Sequence, residues 1–495
     1  MIGRKDQPDA REGQAGRGKA SEGLVVPAKP GNAGEGKGPQ FKSSARRSEA
    51  QGIGQPMNPG KLQDLQAALH AKAKGAPDYR FYALYDKMYR EDVLAEAYRR
   101  SRANGGAPGV DGQKFADIEK YGRERWLGEL AQELKEKRYQ PEATRRVWIP
   151  KPNGKLRPLG IATIRDRVVM MAAVLILEPI FEADLQPEQY AYRGERNALM
   201  AVERVNGLLR SSHTHVVDAD LSSYFDTLPH PELMKSMARR VCDRHMLHLI
   251  KMWLTAPIEE VDGKGGKKRS TPNKDQKRGS PQGSPISPLL SNVYMRRFIL
   301  GWHKLGYAER FGAHIVNYAD DLVICCKRDA DKAMSAMRDI MEKLKLTVNE
   351  EKTRVCQSPS EPFDFLGYTF ERLYSAKTGR AYIGSRPSKK KVQRMIEKVS
   401  AATEHRTTCR GVDDVVRDLN DSLRGWANYF RLGPVSKSYR ALEAHTTHRL
   451  RRWLCIKHKV RGEEPRTRFP DELLHKTLGL IDLPKLTKGF SWAKV

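Results

Sequence analysis

The segment that most restricts the fold of this chain is Tyr318-Ala-Asp-Asp321. It lies between two short runs rich in β-branched and apolar residues, 314–317 and 322–326. Such runs on either side of a small acidic centre predict a β-hairpin with two carboxylates at its tip. Polar hairpin tips are common, so this segment alone predicts a turn and no chemistry.

A third carboxylate gives the hairpin a chemical meaning. The run Val216–Leu221 predicts another short strand, and Asp220 lies at its end. Three carboxylates on neighbouring strand ends form an oxygen-only site that suits Mg²⁺. Two such ions can hold the attacking and the leaving oxygen of a phosphoryl displacement. The sequence therefore predicts nucleotidyl transfer, and it predicts these catalytic and metal-binding positions: Asp220, Asp320, Asp321 and, for metal alone, Leu221. Asp218 is the weaker, structural acid of the same strand face.

Further motifs follow one another in a fixed order along the chain. They occupy residues 104–112, 149–161, 216–226, 279–290, 318–321, 349–353, 365–368 and 423–430. In this order they resemble the reverse transcriptase/maturase proteins encoded by bacterial group II introns. The resemblance extends from about Leu62 to Val460, which is most of the chain.

The resemblance implies an α+β right-hand polymerase with fingers, palm and thumb, followed by a helical maturase region. The expected divisions are a basic disordered tail (1–60), an N-terminal helical extension (61–103), fingers (104–215), palm (216–375), a thumb and RNA-binding maturase region (376–460), and a short tail without an HNH endonuclease (461–495). Within them, Phe81, Leu84, Tyr85 and Met88 have helical spacing. The hydrophilic segment 263–279 is predicted to be a surface loop.

Five residues are predicted to bind the incoming nucleotide. Lys151 and Arg157 flank an Asn-Gly turn, the sequence typical of a tight hairpin. Two cations at such a tip can fold over a triphosphate, as the fingers of the family do. The resemblance gives Phe225 the position under the incoming sugar and Gln282 the loop beneath the nascent base pair. Lys352 is assigned to the leaving pyrophosphate, and a plain charge partner is the equal alternative.

RNA binding is predicted in the C-terminal helical region. Its candidate residues are Arg424, Tyr429, Arg449, Arg451 and Arg452. Cations and aromatic rings on helices suit folded RNA with unstacked bases. The neighbouring Trp426 and Phe430 are interpreted as helix core.

Two segments depart from the family pattern. Met170 stands where relatives commonly have glutamine, and 192–196 reads Tyr-Arg-Gly-Glu-Arg in place of Tyr-Arg-Pro-Gly-Arg. Both lie in the fingers, so they put efficiency or processivity in question and leave the carboxylates intact.

Charge indicates the kind of partner, and cysteine content bears on disulfide bonds and zinc sites. The 495 residues contain 89 Lys and Arg against 60 Asp and Glu, a net charge of +29. This excess indicates a polyanionic partner. No apolar run approaches the roughly 20 residues that a membrane span requires. The six scattered cysteines indicate neither a disulfide framework nor a zinc site, and adjacent Cys325 and Cys326 are expected to pack on opposite strand faces. We expect a bacterial cytoplasmic protein.

The leading hypothesis is an RNA-directed DNA polymerase that uses two Mg²⁺ ions, deoxynucleoside triphosphates and a DNA primer at the target site. It would copy group II intron RNA and bind that RNA to assist splicing and mobility. Two alternatives are a splicing-only RNA-binding maturase and a stand-alone reverse transcriptase in phage defence or repair. The intact carboxylates argue against the first, and the C-terminal basic helices argue against the second. Whether the chain forms a homodimer stays open.

Overall fold

The computed structural model describes residues 60–150, 154, 156–261, 266–375, 378–462 and 464–486. The predicted disordered tail up to residue 59, the candidate Lys151 and the last nine residues lie outside the described residues.

The described chain alternates helices with short strands. The strands are β1 (Thr144–Pro150), β2 (Leu156–Ile161), β3 (His215–Asp220), β4 (Ile258–Val261), β5 (Lys267–Ser270), β6 (Ala313–Tyr318), β7 (Asp321–Cys326), β8 (Arg354–Gln357), β9 (Phe363–Phe365), β10 (Tyr368–Tyr374) and β11 (Ala381–Pro387). The α-helices are α1 (Gly60–Gly75), α2 (Glu91–Asn104), α3 (Phe115–Tyr121), α4 (Arg123–Lys135), α5 (Ile164–Glu182), α6 (Ala198–Arg210), α7 (Tyr224–Thr227), α8 (His230–Ala238), α9 (Arg244–Leu254), α10 (Pro272–Gln276), α11 (Ser287–Lys304), α12 (Tyr307–Phe311), α13 (Ala330–Lys343), α14 (Lys389–Ala402), α15 (Val412–Tyr429), α16 (Ser436–Lys457), α17 (Pro465–Arg468) and α18 (Leu483–Leu486).

The predicted helix through Phe81 and Met88 is wrong. Phe81 forms a lone parallel bridge with Val241, and Tyr85–Lys87 is a single 3₁₀ turn. The apolar side chains are buried as expected, but tertiary contacts determine the backbone. The Asp243 carboxylate accepts hydrogen bonds from the backbone nitrogens of Leu84 and Tyr85, both at 2.8 Å. Helical spacing therefore identified burial and not the local conformation.

The fingers sheet has the strand order β2-β1-β4-β5. The predicted hairpin is confirmed, because β1 and β2 pair antiparallel from Arg145↔Ile161 to Pro150↔Leu156. Residues 266–278 are exposed or half-exposed, as predicted for a surface segment, but the prediction of a loop is wrong for them, since β5 and α10 lie there. Buried Glu259 on β4 forms ion pairs with Lys267 and Arg269 and so holds β5 against it. The fingers sheet therefore includes strands from the segment that was assigned to the palm.

The palm sheet is antiparallel, in the order β6-β7-β3-β8. One face packs in a core with the long buried helix α5 and with α11 and α13. The other face packs against α6 and the C-terminal region. Cys326 contributes to the first core and Cys325 to the second, which confirms that the two cysteines face opposite sides. All six cysteines are free thiols.

A third sheet, in the order β11-β10-β9, follows the palm. The β10–β11 register runs from Tyr368↔Pro387 to Tyr374↔Ala381. The predicted boundary between residues 375 and 376 thus falls inside a paired hairpin.

The C-terminal helices α14, α15 and α16 share the second core. Trp426 and Phe430 are buried in it, which confirms their interpretation as core residues. Residues 464–486 fold back against α16 and bury Leu474, Leu480 and Leu483. The described part of the predicted short tail is therefore packed structure. Within the described ranges, no helix is both long and apolar enough to cross a membrane.

Candidate active site

Strand pairing brings the three predicted carboxylates to one edge of the palm sheet. Tyr318 pairs with Asp321 at the end of the β6–β7 hairpin, and Ala319 turns the chain with a φ of 58°. Asp220, the last residue of β3, lies directly opposite Asp321. Opposed residues of an antiparallel pair project to the same face with their Cα atoms about 5 Å apart. The hairpin and the neighbouring strand end that the sequence predicts are both confirmed.

The carboxylates at this edge repel one another. Burial first, and then the charges of Asp320 and Asp220, raise the pKa of Asp321 to about 8. The pKa of Asp320 is also raised, by burial first and then by Asp220, while Arg157 and Lys352 oppose the shift. Nearby negative charge and desolvation both disfavour ionised carboxylates. A cation at this edge relieves that repulsion.

The segment after α13 supplies the direct partners of Asp220. Lys352 Nζ lies 2.8 Å from Asp220 Oδ2, and Asn349 Nδ2 donates to the same oxygen at 3.0 Å. The Asn349 backbone nitrogen also donates to the Asp220 carbonyl oxygen at 2.8 Å. The predicted nucleotide-binding Lys352 is therefore a charge partner of a catalytic candidate in this state. Its side chain is 62% exposed, so the ammonium has room to leave.

The donor set suits a hard divalent cation, because carboxylate oxygens are the ligands that Mg²⁺ prefers. Across the described part of the chain, no three His, Cys, Asp or Glu side chains already converge as a formed metal site. The Leu221 side chain is a hydrocarbon and is buried, so its contribution to a metal site is limited to the backbone carbonyl oxygen. Asp218 lies 4.0 Å from Arg354 Nε, a partner that fits the structural role predicted for it.

Phe225 lies beside this edge on α7, the short helix that follows β3. Its ring is half-buried and makes edge contacts with Tyr224 and Tyr192, at centroid distances of 5.7 and 6.3 Å. Tyr192 is in turn close enough to Asp320 for that charge to contribute to its raised pKa, after burial. The predicted sugar-contacting residue is therefore near the carboxylates and is held by aromatic packing.

Gln282 is fixed at both its backbone and its side chain. Its carbonyl oxygen accepts from Gly160 N on β2 at 2.8 Å, and its Nε2 donates to Asp226 Oδ2 at 2.8 Å. Gly283 has a φ of 104°, and a Cβ there would lie 2.7 Å from the Gly160 carbonyl oxygen. A glycine at this position therefore permits the close approach of the two backbones. The bond between Gln282 and Asp226 joins residues 56 positions apart, so no local pattern in the sequence indicates it.

The two departures from the family pattern are parts of the packed structure. Met170 is buried on α5, and its Sδ accepts from Ser284 Oγ at 3.0 Å, directly beyond the Gln282 loop. Arg193 pairs with Glu182 and donates to the carbonyl oxygens of Gln186 and Gln189. Both segments therefore support the fingers and the palm through internal contacts.

The candidate RNA-binding residues divide into two groups. Arg449 donates to Thr403 Oγ1 and to the carbonyl oxygens of Ser400 and Thr403. Arg451 is buried, donates to the Phe469 carbonyl oxygen at 2.8 Å and pairs with Asp471. These two guanidinium groups join C-terminal elements to one another, which the cluster of three arginines on α16 did not reveal.

The other RNA candidates lie nearer the surface. Arg452 and Arg424 are exposed, on α16 and α15 respectively. The Tyr429 ring is half-buried, and its hydroxyl donates to the Leu366 carbonyl oxygen at 2.7 Å.

Comparison with known proteins agrees with this architecture. Residues 149–370 match the reverse transcriptase (RNA-dependent DNA polymerase) family, and residues 392–469 match the group II intron maturase-specific domain. Protein YkfC of Escherichia coli is 32% identical over 367 residues, which are 66% of this chain and 93% of YkfC. The group II intron-encoded protein LtrA of Lactococcus lactis is 26% identical over 443 residues, 72% of this chain and 71% of LtrA. The chain therefore belongs to the reverse transcriptase/maturase family encoded by bacterial group II introns, and it is an RNA-directed DNA polymerase.

Proposed function

We propose that the chain copies group II intron RNA into cDNA at the palm edge that carries Asp220, Asp320 and Asp321, and that it binds the intron RNA to assist splicing and mobility. The observation that carries the proposal is the register Asp220↔Asp321, which joins a strand end to the hairpin tip. The primer would be a DNA 3′-hydroxyl at the insertion site.

Members of this family use divalent metal ions, and we assign two Mg²⁺ ions to the three carboxylates and the Leu221 carbonyl oxygen. When bound, such ions stabilise the attacking and leaving oxygens of the displacement. The chain's own contribution is to hold the carboxylates together against their repulsion. Asn349 orients Asp220, and the Lys352 ammonium neutralises it at 2.8 Å.

The nucleotide site that we propose lies between the fingers hairpin and the palm. Arg157 on β2 is near enough to lower the pKa of Asp320 against its upward shift, which supports a position facing the carboxylates. We assign Arg157 and Lys151 to the triphosphate, Phe225 to exclusion of a ribose 2′-hydroxyl, and Gln282 to the floor beneath the base pair. Lys352 would move from Asp220 toward the leaving pyrophosphate.

We assign RNA contacts to exposed cations of the C-terminal helices, Arg424 and Arg452, and to the half-buried Tyr429. Arg449 and Arg451, which the sequence grouped with them, hold α16 to its neighbours through the bonds described above. In domain terms, we propose fingers built from 104–215 together with β4 and β5, a palm that begins at β3, and a thumb and maturase region that begins with the β9–β11 sheet.

The test is Asp320→Ala in the full chain. We expect primer extension on an RNA template to be lost, because the variant lacks a carboxylate of the proposed site. Intron-RNA affinity, measured by filter binding on the same preparation, should be unchanged, because RNA contacts lie on the C-terminal helices. Primer extension at the wild-type rate would refute the site assignment.

The same preparation separates the alternative functions. A splicing-only maturase would show RNA binding without primer extension in the wild-type protein. A stand-alone reverse transcriptase would extend primers and show no preference for intron RNA over an unrelated folded RNA of equal length.

A further inference from the structure

We propose that Asp226 is a positioning residue for the reaction: it fixes the side-chain amide of Gln282 and thereby sets the affinity for the incoming nucleotide. The inference deepens the proposed function, because it depends on Gln282 forming the floor of the nucleotide site. Asp226 itself is not assigned a contact with substrate or metal.

The first observation is the bond between the two side chains. Gln282 Nε2 donates to Asp226 Oδ2 at 2.8 Å, although 56 residues separate them in sequence. A carboxylate can only accept hydrogen bonds, whereas an amide has a donating and an accepting side. The bond therefore turns the amide nitrogen of Gln282 toward Asp226 and its oxygen away from it. One orientation of the amide is selected from two.

The second observation is that both backbones are held in place around this bond. The Ser280 nitrogen donates to the Phe225 carbonyl oxygen at 2.7 Å, and the Gly279 nitrogen donates to that of Leu228 at 2.9 Å. The Gly160 nitrogen on β2 donates to the Gln282 carbonyl oxygen at 2.8 Å. The side-chain bond thus joins two segments that cannot slide past each other. Because the backbone is already held, the bond to Asp226 restricts the side-chain torsions of Gln282.

The third observation is the place of Asp226 in the chain. It directly follows Phe225, the proposed sugar-contacting residue, on the same four-residue helix α7. The bond therefore connects the helix proposed to carry the sugar contact with the loop proposed to lie beneath the base. A residue that links two sides of one pocket restricts both of them, and preorganised contacts reduce the ordering cost of binding. Loss of the link should weaken nucleotide binding more than it slows the chemical step.

The experiment compares Asp226→Ala, Gln282→Ala and the double variant in steady-state primer extension on an RNA template. A hydrogen bond to an ionised group is worth roughly a factor of ten in affinity. We expect Asp226→Ala to raise KM for the deoxynucleotide by about that factor, with kcat within roughly twofold of wild type. Because Asp226 acts through Gln282, the double variant should be no worse than Gln282→Ala alone.

Two further variants serve as controls. Asp226→Asn keeps an acceptor but also offers a donor, so it permits both amide orientations and should raise KM less than Asp226→Ala. Asp331→Ala removes an exposed carboxylate from the first turn of α13 and should leave KM at the wild-type value. Thermal unfolding and RNA binding of each variant report whether the fold is intact.

The outcomes distinguish this inference from the proposed function. If Gln282→Ala has wild-type KM and kcat, Gln282 is not in the nucleotide site, and the proposed function of that residue fails. If Gln282→Ala is impaired while Asp226→Ala is not, or if the two effects multiply in the double variant, the positioning role of Asp226 is wrong. An equal fall in kcat for Asp226→Ala and Asp226→Asn would also overturn it, because that pattern indicates a direct role in the chemical step.

Discussion

Gly283→Ala should damage nucleotide binding through the backbone alone. Gly283 has a φ of 104°, a conformation that residues with a Cβ rarely adopt. Its added Cβ would lie 2.7 Å from the Gly160 carbonyl oxygen and 3.0 Å from Leu159 Cδ1, both on β2. The first contact is with backbone, so it cannot be relieved by a rotamer change. The loop or the strand must move.

The expected loss of stability in Gly283→Ala has two contributions. A sparsely populated backbone conformation costs on the order of 1–3 kcal/mol. The clash adds the loss or lengthening of the bond from Gly160 N to the Gln282 carbonyl oxygen, which is worth about 1 kcal/mol. We therefore expect Gly283→Ala to lower the free energy of unfolding by about 2–4 kcal/mol. Displacement of Gln282 should also raise KM for the deoxynucleotide.

Gly379→Ala is the matched control. Gly379 has a φ of 65° in the β10–β11 connection, and no atom lies within 4 Å of the Cβ that alanine would add. Gly379→Ala should lower the free energy of unfolding by about 1–2 kcal/mol, because alanine is strained at a positive φ. It introduces no clash, and it lies far from the site in sequence. Chemical denaturation and primer-extension kinetics compare the two. Equal destabilisation together with wild-type KM in Gly283→Ala would refute the argument that β2 and the Gln282 loop must stay in contact.

Three further outcomes are expected. Phe225→Ala should raise incorporation of ribonucleotides relative to deoxyribonucleotides, and unchanged discrimination in a folded, active variant would exclude the steric role. Burial raises the pKa of Glu178 on α5 to about 7, so the folded state loses stability as pH rises from the unfolded pKa near 4.3 to about 7. Each pKa unit corresponds to about 1.4 kcal/mol, so Glu178→Gln should stabilise the protein by up to roughly 3–4 kcal/mol at pH 8 and not at pH 4. An equal effect at the two pH values would contradict this. Arg452→Ala should reduce the slope of log affinity against log salt concentration in RNA binding by roughly 0.7–0.9, without lowering Tm. Arg451→Ala should instead lower Tm. The reverse pattern would exchange the roles of the two arginines.

The predictions that succeeded depend on local rules that tertiary structure did not override. Apolar, β-branched runs on either side of a short acidic turn predicted the β6–β7 hairpin, and an Asn-Gly pair predicted the β1–β2 hairpin. Adjacent residues on a strand must face opposite sides, so the packing of Cys325 and Cys326 in different cores followed directly. In each case the information lies within about ten residues.

The predictions that failed concern contacts between distant segments. Residues 81–88 have helical spacing, but Asp243, more than 150 residues later, binds their backbone in another conformation. The charged segment 267–270 appeared to be a loop because its partner, Glu259, is a buried acid that a single sequence does not identify as buried. Arg449 and Arg451 looked like equivalents of Arg452, since their acceptors lie on α14, the turn after it and the segment beyond α17.

The fingers sheet contains β4 and β5, which are distant in sequence from β1 and β2 and support them. β2, which carries Arg157, is an edge strand paired only with β1 within the described residues. β1 is held in turn by β4, and the Thr144 nitrogen donates to the Pro257 carbonyl oxygen at 2.7 Å. The far end of β2 is held by the Gln282 loop through Gly160. The base of the hairpin is thus held on both sides, by β4 and by the Gln282 loop. Because β4 and the Gln282 loop hold the base of this hairpin, we expect substitutions that loosen β4 to alter nucleotide affinity before they alter the carboxylate edge.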